Sequence, residues 1–135
     1  AVGTRSLQDY RGIAAGRGRA VFNGKAIVHP GAQKSQARQT SRNLLLTPGA
    51  EIDTKPELEI YADDVQCNHG ATTGQLDPAA LFYLRSRGLS EQEARSALTR
   101  AFTGAVVSRM DHAPFAAVVR NTLDARLARL LEAQS

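Results

Sequence analysis

Ala26-Ile27-Val28-His29-Pro30-Gly31-Ala32-Gln33 and Leu44-Leu45-Leu46-Thr47-Pro48-Gly49-Ala50-Glu51 superimpose with a shift of 18 residues. In each, three aliphatic or small apolar positions run into Pro-Gly-Ala, a turn in which proline presets φ and glycine permits a tight reversal. Working outward from these turns, the stretch from Arg19 to Gly74 breaks into the β-type runs RAVF, KAIV, NLLL, AEID, LEIY and DVQC. Runs of about four residues are too short for helices. A short repeat of strand, turn and strand predicts stacked rungs of a β-solenoid, in which each rung buries its apolar side chains on the next. On periodicity alone a plain antiparallel meander is the alternative.

After Gly74 the period changes. Asp77 before Pro78 is a helix start: the carboxylate can accept from free amides, and proline at the first helical position lacks a donor that would have no partner there. Leu81, Phe82, Tyr83 and Leu84 fill the turns before Gly88, a left-handed stop. Ser90 and Glu93 form a capping box, with Leu89 placed as its hydrophobic staple. Ala94, Ala97, Leu98, Ala101, Phe102, Ala105 and Val106 then recur at spacings of three and four, giving one apolar helix face. Asp111 to Pro114 interrupts it. A third amphipathic helix, with Phe115, Val118, Val119, Thr122, Leu123, Leu127, Leu130 and Leu131 on one side, runs to the C-terminus. The expected division is 1–76 as a β unit and 77–135 as a small helical domain.

The chain has 135 residues, 42% hydrophobic and 22% charged, as in one soluble globular domain. It contains no apolar run of transmembrane length, and the opening AVGTRSLQDYRG has neither a basic nor an apolar leader region, so a cytoplasmic protein is expected. The formal charge of +4 is unevenly distributed. Residues 1–50 hold eight Lys/Arg and one acid, residues 51–80 one Lys and seven acids, and residues 81–135 eight Arg and five acids. Such an acidic middle argues against a nucleic-acid partner.

Several chemistries are excluded by motif. The run from Gly16 to Val21 begins like a dinucleotide fingerprint but has Val21 where a third small residue is needed, and a strand follows it. There is no phosphate loop, no GxSxG and no HExxH. Glu57, Glu59, Asp63 and Asp64 could serve a carbohydrate-active β-solenoid enzyme as paired carboxylates, but the alternation in Glu57-Leu58-Glu59-Ile60 equally describes a solvated strand face.

One cysteine forms no internal disulfide and cannot build an all-thiolate cluster site. Cys67 and His69, two apart on a strand, leave by the same face. Facing inward they are a small hydrophobe and a hydrogen-bonded imidazole; facing outward they are two soft metal ligands, too few to close a site.

The run SRNLLLTPGAEIDTKPELEIYADDVQCNHGATTGQLDPAALFYLRSRGLSEQEA, residues 41–94, closely resembles the C-terminal portion of SufD in the SufB/SufD family of the SUF iron-sulfur cluster assembly system. AGRGRAVFNGKAIVHPGAQKSQA, residues 15–37, resembles the stretch preceding it, and the resemblance is weakest after about residue 105. EIDTKPELEIYADDV and GATTGQLD followed by LFYLRSRG are its most specific parts.

The resemblance implies a right-handed parallel β-helix (β-solenoid) end followed by a small C-terminal helical domain, mainly β with α. It implies a non-catalytic scaffold of the SufBCD complex, pairing with a SufB-like paralogue through the β-helix, or with itself as a homodimer in isolation. The helical domain would dock the SufC ATPase through Leu81, Phe82, Tyr83, Leu84, Arg85, Arg87 and Gly88, and ATP would bind SufC. His69 is implied to meet a transient iron-sulfur cluster at the SufB–SufD interface as a metal ligand shared with the partner subunit. Cys67 is its weaker companion. No cofactor is expected to stay on this chain alone, and neither nucleic acid nor membrane is an expected partner. SufB-like sequences resemble His-Glu-Ala-Thr where this chain has His69-Gly70-Ala71-Thr72, and carry a cysteine near the level of Ser41. Gly70 thus points to SufD, and Ser41 cannot replace a thiolate. Because the family's members are longer, the chain is expected to be a fragment or truncated homologue with an open strand edge at its N-terminal side.

Overall fold

The computed structural model describes residues 1–132. Five strands are followed by three helices: β1 (Arg5–Ala14), β2 (Arg19–Val28), β3 (Gln36–Leu45), β4 (Glu51–Ile60), β5 (Gln66–Gly74), α1 (Pro78–Ser86), α2 (Glu91–Val107) and α3 (Ala113–Glu132). The expected run of the last helix to the C-terminus falls, for residues 133–135, outside the described residues.

All strand pairings are parallel. The chain alternates between a three-stranded sheet ordered β1-β3-β5 and a two-stranded sheet β2-β4. This excludes the meander, and it also corrects the β-helix expectation. Among the described residues the strands form two separate sheets and no closed solenoid, so the fold is mixed α/β. The strands are nine or ten residues long rather than about four. Their register advances by 31 residues from Arg5 to Gln36 and by 32 from Arg19 to Glu51, not by 18.

The physical reason lies in what the 18-residue repeat encodes. Its copies end β2 and β3, which belong to different sheets, and each closes the same turn: Ala32 N–H donates to the His29 carbonyl at 2.9 Å and Ala50 N–H to the Thr47 carbonyl at 3.3 Å. The repeat is therefore one of turn chemistry, with no strand pairing at that interval. The apolar runs underestimated strand length because the side of β3 facing the second sheet is polar. Gln39 is 2% exposed, Ser41 1% and Asn43 6%. Such groups are tolerated inside when hydrogen-bonded, and Asn43 Nδ2 donates to Ser41 Oγ and to Thr73 Oγ1, both at 3.4 Å.

The opposite face of the three-stranded sheet carries α2. Asp9 on β1, its side chain nearly buried, pairs with Arg109 just beyond α2 at 2.7 Å and with Arg42 of β3 at 3.8 Å. Arg11 donates to the Phe102 carbonyl at 3.1 Å and stacks its guanidinium over that ring at 4.9 Å. Arg95 reaches the Leu46 carbonyl at 2.6 Å. Helices α1 and α3 both pack on α2, and Arg100 pairs with Asp124 across the latter junction.

The buried side of α2 differs from the predicted apolar stripe. Ala97 and Ala101 are exposed, whereas Ala94, Thr99 and Val107 are buried. Thr99 tolerates complete burial because its hydroxyl donates to the Arg95 carbonyl at 2.8 Å. Phe115 and Val118 of α3 are also exposed, leaving Leu127 as that helix's buried anchor.

The helix ends follow the predicted chemistry. Asp77 accepts from Ala79 N–H, and Ser90 and Glu93 form the complete capping box. The Ser90 hydroxyl, followed by its amide, holds the Glu93 carboxyl below its ordinary range. At the end of α1, Gly88 has φ +96°, its N–H donates to the Arg85 carbonyl, and Leu89 N–H reaches back to the Leu84 carbonyl. This is the double closure that favours glycine after a helix.

Replacing Gly88 with alanine forces a side chain into the left-handed region and should lower stability by about 1 kcal/mol; an unchanged urea midpoint would contradict this account of the α1 terminus. Asp9→Ala removes the carboxylate that holds Arg109 and Arg42. Because Arg109 is more than half exposed, solvent screening limits the expected loss to about 1–2 kcal/mol. The same measurement checks it, and α2 amides should exchange faster with solvent.

Candidate functional site

The sequence-identified donors sit on β5, an edge strand of the three-stranded sheet. Register places Cys67 beside Ala37, His69 beside Gln39, Ala71 beside Ser41 and Thr73 beside Asn43. The Asn43–Thr73 hydrogen bond identifies the face. Alternation along the strand then puts Ala71, His69 and Cys67 on that same side, toward the interior of β3. Cys67 is half-buried with a free thiol, and His69 is exposed. The two alternatives left by spacing thus meet in one arrangement: the face is the interior one, but at the sheet edge it opens to solvent.

Chemically, this is a pair of soft donors on a rigid strand. Among the described residues no group of three or more His, Cys, Asp or Glu side chains converges as a metal centre. A four-coordinate iron taking both donors would need its remaining ligands from sulfide or another chain. The next position, Gly70, has an ordinary backbone conformation, and a β-carbon added there would meet nothing within 4 Å. Glycine is therefore not required at 70 by backbone geometry. Ser41 is buried in the same inward row.

The second predicted surface lies on α1, which buries none of its residues. Phe82 is 75% exposed and Tyr83 56%. Arg87 lies over the Tyr83 ring at 5.3 Å and donates to its hydroxyl at 3.3 Å, while Arg85 pairs with Glu91 at 3.7 Å. Leu81 and Leu84 are half-buried, and Gly88 is exposed at the helix end. The α1 surface thus presents aromatic rings and guanidinium groups together.

Of the carboxylates between 57 and 64, Glu57 and Glu59 are ion-paired. Glu57 bonds Lys55 at 2.8 Å, and that hydrogen bond, reinforced by the ammonium charge, holds its carboxyl below the ordinary range. A general acid requires the opposite shift. Glu59 pairs with Lys25, and Arg19 pairs with Glu51 on the same sheet. The geometry is that of an ion-paired outer face of β2 and β4.

Sequence reasoning missed Gln39. It is buried beside His69 in register, with its side-chain oxygen also buried and without a hydrogen-bond partner among the described residues. Glutamine on a strand carries no mark of burial, and only the register brings it to the site.

Comparison with known proteins places the chain in a family. A family model for the SufBD core domain of SUF system FeS cluster assembly matches residues 1–102. The iron-sulfur cluster assembly protein SufD of Escherichia coli is 50% identical over 97 residues, covering 72% of this chain and 23% of that protein. A SufBD family iron-sulfur cluster assembly protein of Synechocystis is 46% identical over 107 residues, covering 79% and 24% respectively. The SufD of Bacillus subtilis is 40% identical over 90 residues, covering 67% and 21%. The chain spans about a quarter of the length of these relatives. Since the core-domain match takes in every strand, α1 and most of α2, including Cys67 and His69, the chain belongs to the SufBD core family of the SUF iron-sulfur cluster assembly system.

Proposed function

We propose that this chain is the C-terminal part of a SufD-like, non-catalytic scaffold that acts with SufB-like and SufC partners in assembling iron-sulfur clusters. One observation carries the reading: a thiol and an imidazole share one face of an edge strand within the segment matched by the SufBD core model. An edge strand has backbone donors and acceptors available for a partner. A SufB-like subunit approaching β5 would bring its own ligands beside His69, and the nascent cluster, the cargo of the system, would form between them. His69 is the proposed donor and Cys67 the secondary one.

The helical end supplies the proposed contact with SufC. Exposed aromatic and arginine side chains are the types enriched where protein interfaces concentrate binding energy, and α1 presents Phe82, Tyr83 and Arg87 together. Nucleotide-driven closure of SufC would pull on α1 and α2. The ion pair from Asp9 to Arg109 and the bond from Arg11 to Phe102 tie α2 to β1, so the pull would reach the sheet that holds His69. Among the described residues no helix is long and apolar enough to cross a membrane, and the proposed setting is the cytoplasm.

Both surfaces can be tested in a complete SufBCD assembly whose SufD carries this sequence as its matching segment. Phe82→Ser with Tyr83→Ser should reduce SufC co-purification at least tenfold; full retention would refute docking through α1. His69→Ala should leave the assembly intact while lowering cluster yield severalfold, and an unchanged yield would remove His69 from the proposed site.

A further inference from the structure

The face of the three-stranded sheet that carries α2 is covered over only part of its length. Alternation puts Arg5, Leu7, Asp9 and Arg11 of β1 on that face. Asp9 and Arg11 are engaged by Arg109 and by the Phe102 carbonyl. The two rows before Asp9 are bare. Register gives them as Arg5-Gln36-Gln66 and Leu7-Arg38-Asn68 across β1, β3 and β5. All six residues are exposed, Leu7 at 60%, and they line a shallow depression of about 320 Å³.

Charge is unbalanced in this depression. Arg5 Nε and Nη2 both donate to Gln36 Oε1, at 3.1 and 3.0 Å. That bond holds the guanidinium in place and leaves its Nη1 edge to the outside. Arg38 has no hydrogen bond or ion pair among the described residues. Neither row contains a carboxylate. In the row beyond, Asp9 is taken by Arg109 and Arg42. In the row before, Asp64 has the cationic Lys34 as its backbone-bonded neighbour at 2.5 Å.

We propose that these two rows dock an extended segment of a partner protein, one that carries acidic side chains two residues apart and an apolar side chain on the same side. The fork of an arginine matches a carboxylate, and a guanidinium already held by Gln36 loses less freedom on binding. Arg5 and Arg38 stand diagonally on neighbouring strands. A strand spacing of about 4.8 Å and a rise of about 3.3 Å per residue put their Cα atoms about 8 Å apart. Alternate side chains of an extended segment leave one side about 6.6 Å apart, a difference that arginine side chains absorb. Leu7 gives an apolar contact that an inorganic anion would not use, and no aromatic ring lies in the patch to stack on nucleic-acid bases. The surface faces away from the row that holds Cys67 and His69, so it is separate from the proposed cluster site.

Fluorescence anisotropy of a labelled peptide, Glu-Ser-Glu-Ser-Leu-Ser-Glu, titrated with the complete protein that carries this sequence, tests the surface. Saturable binding is expected, weakened at least tenfold by Arg5→Gln together with Arg38→Gln, severalfold by Leu7→Ser, and by added salt. These side chains are exposed, so the variants should keep the wild-type melting temperature. Absence of binding would overturn the proposal, as would unchanged binding in the folded double variant or equal binding of the peptide with Gln in place of Glu. Displacement by free glutarate at the peptide's own concentration would assign the arginines to small acids. Tighter, Arg38-dependent binding of a single-stranded oligonucleotide would assign them to nucleic acid. Either result would also overturn docking of a protein segment.

Discussion

Strand β3 is bonded on both edges and buries one row of side chains toward the second sheet. Its backbone groups pair with β1 on one side and β5 on the other. One face turns toward β2 and β4, and the other lies on the α2 side of the sheet. A strand so placed has no freedom of register, because a one-residue slip would exchange Leu44 for Asn43 and drive polar groups into the wrong layer. From that fixed register follow the position of His69 beside Gln39, the alignment of Asp9 with Arg42 and Arg109, and the edge character of β5.

The interior between the sheets includes a polar row from β3, Gln39, Ser41 and Asn43. Hydrogen bonds join this layer across strands: Gln39 donates to Gln8 of β1 and Asn43 to Thr73 of β5. Apolar side chains would fill the space without transmitting orientation.

The legible parts of the sequence were those in which local chemistry decides structure. Asp77, Ser90, Glu93 and Gly88 marked helix ends because caps depend on neighbouring backbone groups, and the two Pro-Gly-Ala turns did so for the same reason. Strand β1 was invisible, because Gln8, Asp9, Tyr10 and Arg11 show no apolar alternation; their places are set by pairing with β3, 31 residues away. The solenoid expectation failed for the related reason that a repeated turn was taken for a repeated pairing. Thr99 and Gln39 were missed because a buried polar side chain is recognised by its partner, which sequence does not display. At the site, the shared face of Cys67 and His69 followed from alternation, whereas its position at an open edge did not.

Two surfaces carry the proposed associations: β5, an edge strand with its donor pair, and α1, with its aromatic rings. Helix α2 packs on α1 and is tied to β1 by Asp9 and Arg11 and to the β3 turn by Arg95. The proposed function needs that linkage to be stiff for transmission between the surfaces and needs His69 to reach iron. Ligation is the more direct issue, and pulsed electron paramagnetic resonance can resolve it in the reduced cluster of a reconstituted SufBCD assembly in which only this subunit carries nitrogen-15. The expected spectrum contains a nitrogen-15 coupling from one directly bound imidazole, lost in His69→Ala; a cluster that forms normally without that coupling would contradict ligation by His69.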